Sequence, residues 1–163
     1  AHPVLVNLNS YLANLKGVRN GIEIDTDLLG TLHIAGSGAG QESTASGIIS
    51  DLVHLANLST NISNNDYLNQ KYTMSSFDDL LFQYYFYIEA KDIPGVMASI
   101  TSIFAKKNIG IESIVQKENL DENLVPIVLI SDAFIEKEHS DLLSQVLELE
   151  SVTKIRSIRI EPN

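Results

Sequence analysis

Residues 84–114, YYFYIEAKDIPGVMASITSIFAKKNIGIESI, carry the clearest structural pattern in this chain. Apolar residues stand at every second position at the start of the segment, and this alternation predicts a strand with one buried face. That face contains Tyr84, Phe86, Ile88 and Ala90. After the Pro94-Gly95 turn, apolar residues recur at the spacing of one helical face, which predicts an amphipathic helix. Its apolar stripe contains Val96, Ile100, Ile103 and Phe104.

Both ends of this helix carry end signals. Asp92 is a residue type that accepts backbone N–H bonds at a helix start, and the fixed φ of Pro94 suits the first helical turn. Lys106 and Lys107 place positive charge at the carboxyl end of the helix dipole. Asn108 is a residue type that can take the left-handed conformation in which many helices end. The helix is therefore expected between the Pro94 turn and Asn108.

The residues that follow predict two further strands, a second helix and a final strand. The strands are expected at 109–117 and 125–131, the helix at 135–149 and the final strand at 154–161. Pro126 indicates an edge position or a strand beginning, because proline has no N–H to donate to a ladder. The order βαββαβ predicts an α+β, ferredoxin-like fold in which both helices cover one face of an antiparallel sheet.

Upstream of residue 80 the sequence predicts a β-rich segment and then a helix. Residues 3–8 have the composition of a short strand, while 20–25 and 31–35 alternate as the two arms of a hairpin would. A helix is expected at 44–58, with its apolar face toward a core. That face contains Ile48, Leu52, Leu55 and Ala56.

The start of this upstream helix has two candidate N-caps, Ser43 and Thr44. His54 lies near its end, where we interpret it as an ordinary, partly buried histidine. No second histidine stands four residues further on, and no carboxylates complete a recognisable ligand set. The sequence therefore assigns no metal-binding residue.

The glycine-rich stretch at 36–47, GSGAGQESTASG, lies between the hairpin and this helix. Glycines let a backbone approach a ligand closely, and a helix N-terminus follows them. The dinucleotide fingerprint G-x-G-x-x-G fails, because Gln41 or Ser43 occupies its last position, and the lysine of a phosphate loop is also missing. Ligand contact and a purely structural strand-to-helix turn both stay open.

Residues 57–79 are rich in Asn and Ser and have weak periodicity, as a linker or long surface loop would. A domain boundary is expected there. Isolated apolar residues indicate that the linker packs along a surface. They are Tyr67, Tyr72, Met74 and Phe77.

Charge and composition exclude several classes of protein. The formal net charge of −10 argues against nucleic acid as a partner, because binding would have to overcome repulsion from the phosphates. No apolar run approaches the ~20 residues that span a bilayer, and the start lacks the basic, then apolar pattern of a signal peptide. The absence of cysteine excludes disulfides and fits a reducing compartment, so a cytoplasmic location is expected. The Ala-His-Pro start suits either processing or an excised fragment.

Two resemblances follow from these motifs. DIPGV at the first turn and NIGIESI at the second, in the order given above, resemble an ACT domain, an amino-acid-sensing module of metabolic enzymes. Residues 1–58 resemble the end of the catalytic region of homoserine dehydrogenase. This second resemblance rests on Asn20, the Gly38-Ala39-Gly40 turn, the Thr44-Ala45-Ser46 run and Asp51-Leu52-Val53. Together they imply the C-terminal part of that enzyme: a catalytic remnant at 1–58, a linker at 59–80 and an ACT domain at 81–163.

The resemblance also implies a parent reaction. Homoserine dehydrogenases interconvert L-homoserine and L-aspartate 4-semialdehyde with NAD(P), with threonine as feedback inhibitor. The glycine turn would lie close to the cofactor cleft, which marks Gly38, Ala39, Gly40 and Thr44 as candidate cofactor-binding residues. The cofactor fingerprint and catalytic groups of such enzymes come earlier in their chains. This chain is therefore expected to be inactive by itself and to need no cofactor, and no catalytic residue is assigned.

The candidate effector site is the turn before the first helix of the ACT module. An amino acid has an ammonium and a carboxylate to satisfy, and this turn offers a carboxylate and N–H groups at a positive helix end. The resemblance assigns effector contacts to Asp92, Ile93, Pro94, Gly95, Val96, Asn108 and Ile109, while Gln116 and Asn108 add amide groups. Ile93 departs from the polar residue that is frequent in the family. The alternative is that Asp92 only caps the helix and Gly95 only turns the chain.

Three functions stay open at this point. The first is an amino-acid-binding, dimerising regulatory domain, with threonine as the expected effector. The second is a pure assembly module that joins the edge strands of two chains. The third is a small complete enzyme that uses the Gly38–Gly40 turn as a phosphate cradle.

Overall fold

The computed structural model describes residues 1–57, 74–117 and 123–161. The chain divides into two compact units. Unit 1 contains Ala1–Leu5 together with Met74–Asn163, and unit 2 contains Val6–Thr73. The predicted boundaries at 58 and 80 stay predictions.

The described helices and strands are numbered in chain order. The strands are β1 Val4–Leu5, β2 Arg19–Thr26, β3 Gly30–Ser37, β4 Leu81–Lys91, β5 Ile111–Gln116, β6 Leu124–Ser131, β7 Phe134–Ile135 and β8 Val152–Ile160. The α-helices are α1 Gln41–Asn57, α2 Val96–Lys106 and α3 His139–Leu147. Short 3₁₀ helices lie at Leu12–Asn14, Phe77–Asp79 and Glu136–Glu138. None of the helices among the described residues is long and apolar enough to cross a bilayer.

Unit 1 has the predicted α+β, ferredoxin-like fold. Its sheet has the order β1-β8-β4-β6-β5, and β4 is antiparallel to both of its neighbours, β8 and β6. The predicted βαββαβ order, formed by β4, α2, β5, β6, α3 and β8, is therefore confirmed. Two short strands extend this plan: β1 pairs in parallel with the end of β8, and β7 pairs with the start of β4.

The core of unit 1 lies between one face of this sheet and the two helices α2 and α3. The predicted face of β4 is fully buried, and all four residues of the predicted stripe of α2 are buried. Leu142 and Val146 supply the matching face of α3. At the ends of the helices, the Lys107 ammonium pairs with the Asp141 carboxylate. Burial of this apolar face stabilises the module at about 25 cal/mol for each Å² removed from water.

The ends of α2 differ in part from the prediction. The N-cap residue is Gly95, at φ 92°, and no side chain makes a capping hydrogen bond there. Asp92 is therefore not the N-cap residue, and Pro94 lies in the turn before the helix rather than in its first turn. Asn108, with φ 55°, has the predicted left-handed conformation. Since only glycine adopts φ near 90° without strain, Gly95 fixes the point at which the helix starts.

Two predictions about the second half of the module are corrected by strand pairing. The helix predicted at 135–149 begins only at His139, because Phe134 and Ile135 pair with Phe82 and Leu81 of β4. An edge position for Pro126 is wrong, since β6 lies between β4 and β5, but its place near the strand beginning holds.

Pro126 fits the interior strand β6 because the neighbouring strand β5 ends at Gln116, before it reaches the position opposite Pro126. The last pair of the β5–β6 ladder joins Gln116 and Ile127, and the Pro126 carbonyl accepts a bond from the Lys117 N–H at 3.0 Å. In an antiparallel ladder the nitrogen and carbonyl of one residue point to the same side. The missing N–H of Pro126 therefore points past the end of β5.

Unit 2 contains the predicted hairpin and helix. Strands β2 and β3 pair in antiparallel fashion, with Ile22 opposite Ile34 and Ile24 opposite Leu32. Helix α1 begins at Gln41, three residues before the predicted start. The capping prediction is therefore wrong. The Ser43 hydroxyl lies inside the first turn, where it donates to the carbonyls of Ala39 and Gly40 at 3.2 and 3.1 Å.

The apolar residues of unit 2 are exposed within this chain. No described residue between 6 and 57 is buried, and Ile48, Leu52 and Leu55 of α1 are 58–62% exposed. The prediction of a core-facing helix is thus not met by the described part of the unit. The strand predicted at 3–8 is reduced to Val4 and Leu5, which belong to the sheet of unit 1.

The predicted linker lies mostly outside the described residues, including Tyr67 and Tyr72. Met74 is exposed, whereas the Phe77 ring packs against the Phe82 ring with their centroids 5.4 Å apart. The end of the predicted linker therefore belongs to the surface of unit 1. The loop between β5 and β6 lies largely outside the described residues too.

Candidate functional site

A cleft of about 350 Å³ opens at the N-terminal end of α2. The turn from β4 into α2 forms one wall, and the end of β5 and the first half of β6 form the other. The lining residues are Lys91, Asp92, Ile93, Pro94, Gly95, Val96, Met97, Gln116, Val125 and Ile127. Its size suits a small metabolite.

Backbone hydrogen bonds hold the wall of the cleft in place. The Lys91 N–H donates to the Ser151 carbonyl at 2.7 Å, and the Asp92 N–H donates to the Asn123 carbonyl at 3.1 Å. Within the turn, the Ile93 N–H donates to the Lys91 carbonyl at 3.0 Å. The positive φ of Gly95 then directs the chain into the helix. This turn is therefore built by bonds to two other parts of the module.

The lining of the cleft combines polar ends with an apolar floor. Val96, Val125 and Ile127 are buried and form apolar surface. Lys91 and Asp92 supply opposite charges. Gln116 supplies a side-chain amide, whose NH₂ group can donate hydrogen bonds and whose oxygen can accept them. Ile93 lies exposed, as part of the rim. The cleft therefore presents charged and amide groups around an apolar floor.

The predicted effector residues fall into two groups. Asp92, Ile93, Pro94, Gly95, Val96 and Gln116 come together around the cleft. Asn108 and Ile109 do not line it, since they follow the opposite end of α2, where Asn108 ends the helix and Ile109 is buried in the core. Whether any of these residues binds an effector stays a prediction.

The sequence prediction missed four lining residues: Lys91, Met97, Val125 and Ile127. Val125 and Ile127 alternate on the inner face of β6, and the strand register sets Ile127 beside Gln116. The sequence predicts the strand that contains these two residues. It does not predict the register between β5 and β6 that places them at the turn before α2. Lys91 and Met97 simply extend the predicted turn at both ends.

The candidate cofactor residues in unit 2 form a tight turn. A side chain at Gly38 would meet the Asn20 amide, because its Cβ would lie 1.7 Å from Asn20 Nδ2. The Gly38 N–H donates to the Val18 carbonyl at 2.8 Å, and the Thr44 N–H to the Gly40 carbonyl at 3.1 Å. The close approach at Gly38 is thus occupied by Asn20. Cofactor contact by Gly38, Ala39, Gly40 and Thr44 stays a prediction.

Away from the cleft, unit 1 contains a partly buried polar group that we call the Arg159 cluster, defined as Tyr84, Glu136, His139 and Arg159. The Glu136 carboxylate accepts hydrogen bonds from the Tyr84 hydroxyl and from Nε and a terminal nitrogen of Arg159, with the Nε contact at 3.1 Å. The His139 ring stacks on Tyr84 with centroids 4.2 Å apart, and its Nε2 lies 2.8 Å from the Ser157 hydroxyl. The sequence prediction missed this cluster, because its members are separate in the chain.

The cluster changes the acidity of its members. Burial raises the pKa of the Tyr84 hydroxyl, and the adjacent Glu136 carboxylate raises it further. Burial opposes ionisation of Glu136, but hydrogen bonds from Arg159 and Tyr84 outweigh it and lower the pKa of this carboxyl. Burial also lowers the pKa of His139. At neutral pH the cluster therefore consists of one ion pair, a phenol and a neutral imidazole.

Two family models match the chain, one in each of the two regions for which the sequence analysis found a resemblance. The homoserine dehydrogenase family model matches residues 1–53. The model of the AHAS small subunit-like ACT domain matches residues 86–154. The match to the second model covers the strands and helices around the cleft.

Individual relatives match nearly the whole chain. It is 33% identical to homoserine dehydrogenase from Pseudomonas aeruginosa and 30% identical to the enzyme from Neisseria gonorrhoeae, over 98% of this chain in both cases. The crystal structure of a homoserine dehydrogenase from Thiobacillus denitrificans matches 98% of the chain with a TM-score of 0.82 and 30% identity. The chain spans only 38–39% of the length of these proteins. The predicted resemblance is thereby confirmed.

Proposed function

We propose that the chain corresponds to the C-terminal part of a homoserine dehydrogenase. On this premise, unit 1 is the regulatory domain of that parent enzyme. The parent would interconvert L-homoserine and L-aspartate 4-semialdehyde with NAD(P) in the cytoplasm, and this chain alone would be inactive. The observation that carries the proposal is the cleft, which gathers six of the eight predicted effector residues. The ligand is an amino acid, with threonine as the expected effector.

The chemistry of the lining supports a small amino acid. Its ammonium would pair with the Asp92 carboxylate, and its carboxylate would face the Lys91 ammonium and the positive end of α2. The apolar floor at Val125 would contact the methyl group of threonine, and the Gln116 amide would bond its hydroxyl. Serine lacks the methyl group and isoleucine lacks the hydroxyl, so both should bind more weakly.

Calorimetry with threonine, serine and isoleucine tests this proposal on the 163-residue chain. We expect threonine to bind, and Gln116→Ala to weaken it about tenfold, which corresponds to one lost hydrogen bond of about 1.4 kcal/mol. Asn108→Gly is the matched control, because it removes an amide predicted from sequence at a position that does not line the cleft. If the chain is folded and none of these three amino acids gives a heat of binding, that result would contradict the proposed sensing function.

A second function is favoured by the position of β5, which forms one end of the sheet. Its outer edge can pair with the same strand of another chain, so the module would join two chains without binding an effector. Light scattering separates the two functions. A dimer that does not respond to amino acids supports assembly alone, whereas a dimer that binds threonine supports a dimeric sensor.

A further inference from the structure

Both connections between the two units start from one corner of the sheet of unit 1. The chain leaves unit 1 after Leu5, the last residue of β1, and returns to it at Met74. Strand β1 pairs with the end of β8, where Val4 lies beside Arg159 and the Leu5 carbonyl accepts a bond from the Glu161 N–H at 2.9 Å. The outgoing connection is thus attached beside Arg159.

The returning connection packs on the same arginine. The Arg159 guanidinium carbon lies 5.1 Å from the centroid of the Phe77 ring and 5.4 Å from that of Phe82. A guanidinium over an aromatic ring at such distances is attracted by the ring quadrupole. The return segment is also bonded to the start of the 3₁₀ helix before α3, since the Glu136 N–H donates to the Leu80 carbonyl at 2.9 Å.

A third contact joins the outgoing and returning segments directly. The His2 ring, just before β1, lies 5.9 Å from the Phe77 ring and 6.3 Å from the Phe82 ring. Glu136 fixes the plane of the guanidinium by accepting from both Nε and a terminal nitrogen. A planar, doubly bonded guanidinium has little freedom to follow one segment away from the other.

We propose that Arg159, held by Glu136, is a clamp that fastens the outgoing strand β1 and the returning Phe77 segment to each other and to the sheet. The two segments that connect unit 1 to unit 2 are then released from the sheet together or held to it together. A conformational change in the sheet of unit 1 would then reach unit 2 through both connections at once. This inference does not depend on which ligand, if any, occupies the cleft.

A purely structural ion pair predicts something different from a clamp. If the Arg159 cluster only stabilises the core, loss of the Phe77 ring in a His2→Ala background should affect the return segment alone, since Phe77 makes no hydrogen bond to β1 or to Glu161 in the described part of the chain and its ring contact with His2 is then removed. If the cluster is a clamp, the same change should release β1 as well. The Glu161 amide reports on β1, and the Leu80 amide, which donates to the Phe77 carbonyl at 3.1 Å, reports on the return segment.

Amide hydrogen exchange of the 163-residue chain, followed by NMR, decides between these two possibilities. In the His2→Ala background, which removes the direct ring contact between the two segments, we expect Phe77→Leu to accelerate exchange of both the Glu161 and the Leu80 amides at least tenfold, while the amides paired between β4 and β6 keep their rates. Tyr87→Leu, which removes a ring from the other face of β4, is the control and should leave the Glu161 amide unchanged.

Arg159→Lys provides a second, independent variant. It keeps the positive charge but loses the planar fork, and it should release the same two amides. Acceleration of the Leu80 amide alone in Phe77→Leu would overturn the clamp. Uniform acceleration throughout unit 1 would overturn it too, since that result would show ordinary loss of stability.

Discussion

Glu136 and Arg159 place opposite charges inside unit 1, with side chains only 10% and 18% exposed. Removing one member of such a pair leaves the other charge buried without compensation. We expect Glu136→Gln to lower the free energy of unfolding by about 3 kcal/mol, measured by urea denaturation. Lys107→Met at the Lys107–Asp141 pair leaves a carboxylate that is 60% exposed and hydrated, so its cost should be clearly smaller. Equal losses in the two variants would contradict this assignment.

His139 makes the stability of unit 1 depend on pH. It faces Tyr84, Glu136, Arg159 and Ser157, and burial lowers its pKa below the ordinary value near 6.5. The unfolded chain therefore binds this proton more readily than the folded chain. The stability it contributes is fully present above about pH 6.5 and is lost as the pH falls through the lower pKa of the folded state.

His139→Phe tests this dependence, because phenylalanine keeps the stacking on Tyr84 and removes the titration. We expect urea denaturation between pH 7.5 and 5.5 to show a fall in stability for the native sequence and a smaller fall for the variant. Glu136, with its lowered pKa, adds a separate loss below about pH 4.3 that both proteins should share. Parallel profiles above pH 5 would refute the role of His139.

At the scale of elements, helix α2 lies between two residues with positive φ, Gly95 at 92° and Asn108 at 55°. Gly95→Ala should lower stability by about 1–2 kcal/mol, because a Cβ is strained in this region even though open space surrounds it. Asn108→Gly, at the other end of the helix, should be neutral or slightly stabilising. Thermal unfolding of both variants measures the difference, and a stable Gly95→Ala chain would show that the turn adopts another conformation.

The elements that the sequence predicts well are those with an uninterrupted period. Strand β4 and helix α2 follow from their own residues, and so does the turn from Asp92 to Val96 that borders the cleft. The start of α3 was not predictable in this way, because it depends on pairing of Phe134 with the distant Phe82. The other wall of the cleft, Val125 and Ile127, likewise depends on a register between strands that no local pattern encodes.

At the scale of the whole molecule, the two units differ in how much they bury. Unit 1 has a contiguous core, whereas no described residue between 6 and 57 is buried. Most helical stability in proteins comes from packing of the apolar face, which α1 lacks within the described part of unit 2. We expect amides of α1 to exchange at least 100-fold faster than those of β4. Equal protection would mean that α1 finds a partner surface, for example in a second copy of the chain.

The glycine turn of unit 2 gives a related expectation. If Gly38 serves mainly to accommodate Asn20, then Gly38→Ala should disturb the hairpin of the isolated chain without any nucleotide present. NMR shifts of β2 and β3 measure this disturbance, and Asn20→Ala should restore the native shifts in the double variant. If the double variant keeps the disturbed shifts, contact with a ligand would explain the presence of glycine at position 38 better than contact with Asn20.

The pairing of β1 with β8 has a consequence for biosynthesis. Val4 pairs with Arg159, which the ribosome adds about 155 residues later, roughly 8–30 s at 5–20 residues per second. Until then the central strand β4 also lacks its neighbour β8, so its edge is exposed while the chain is still being translated. Nascent chains of this protein should therefore need chaperone protection until the final strand emerges, and synonymous slowing of translation before residue 152 should increase their aggregation.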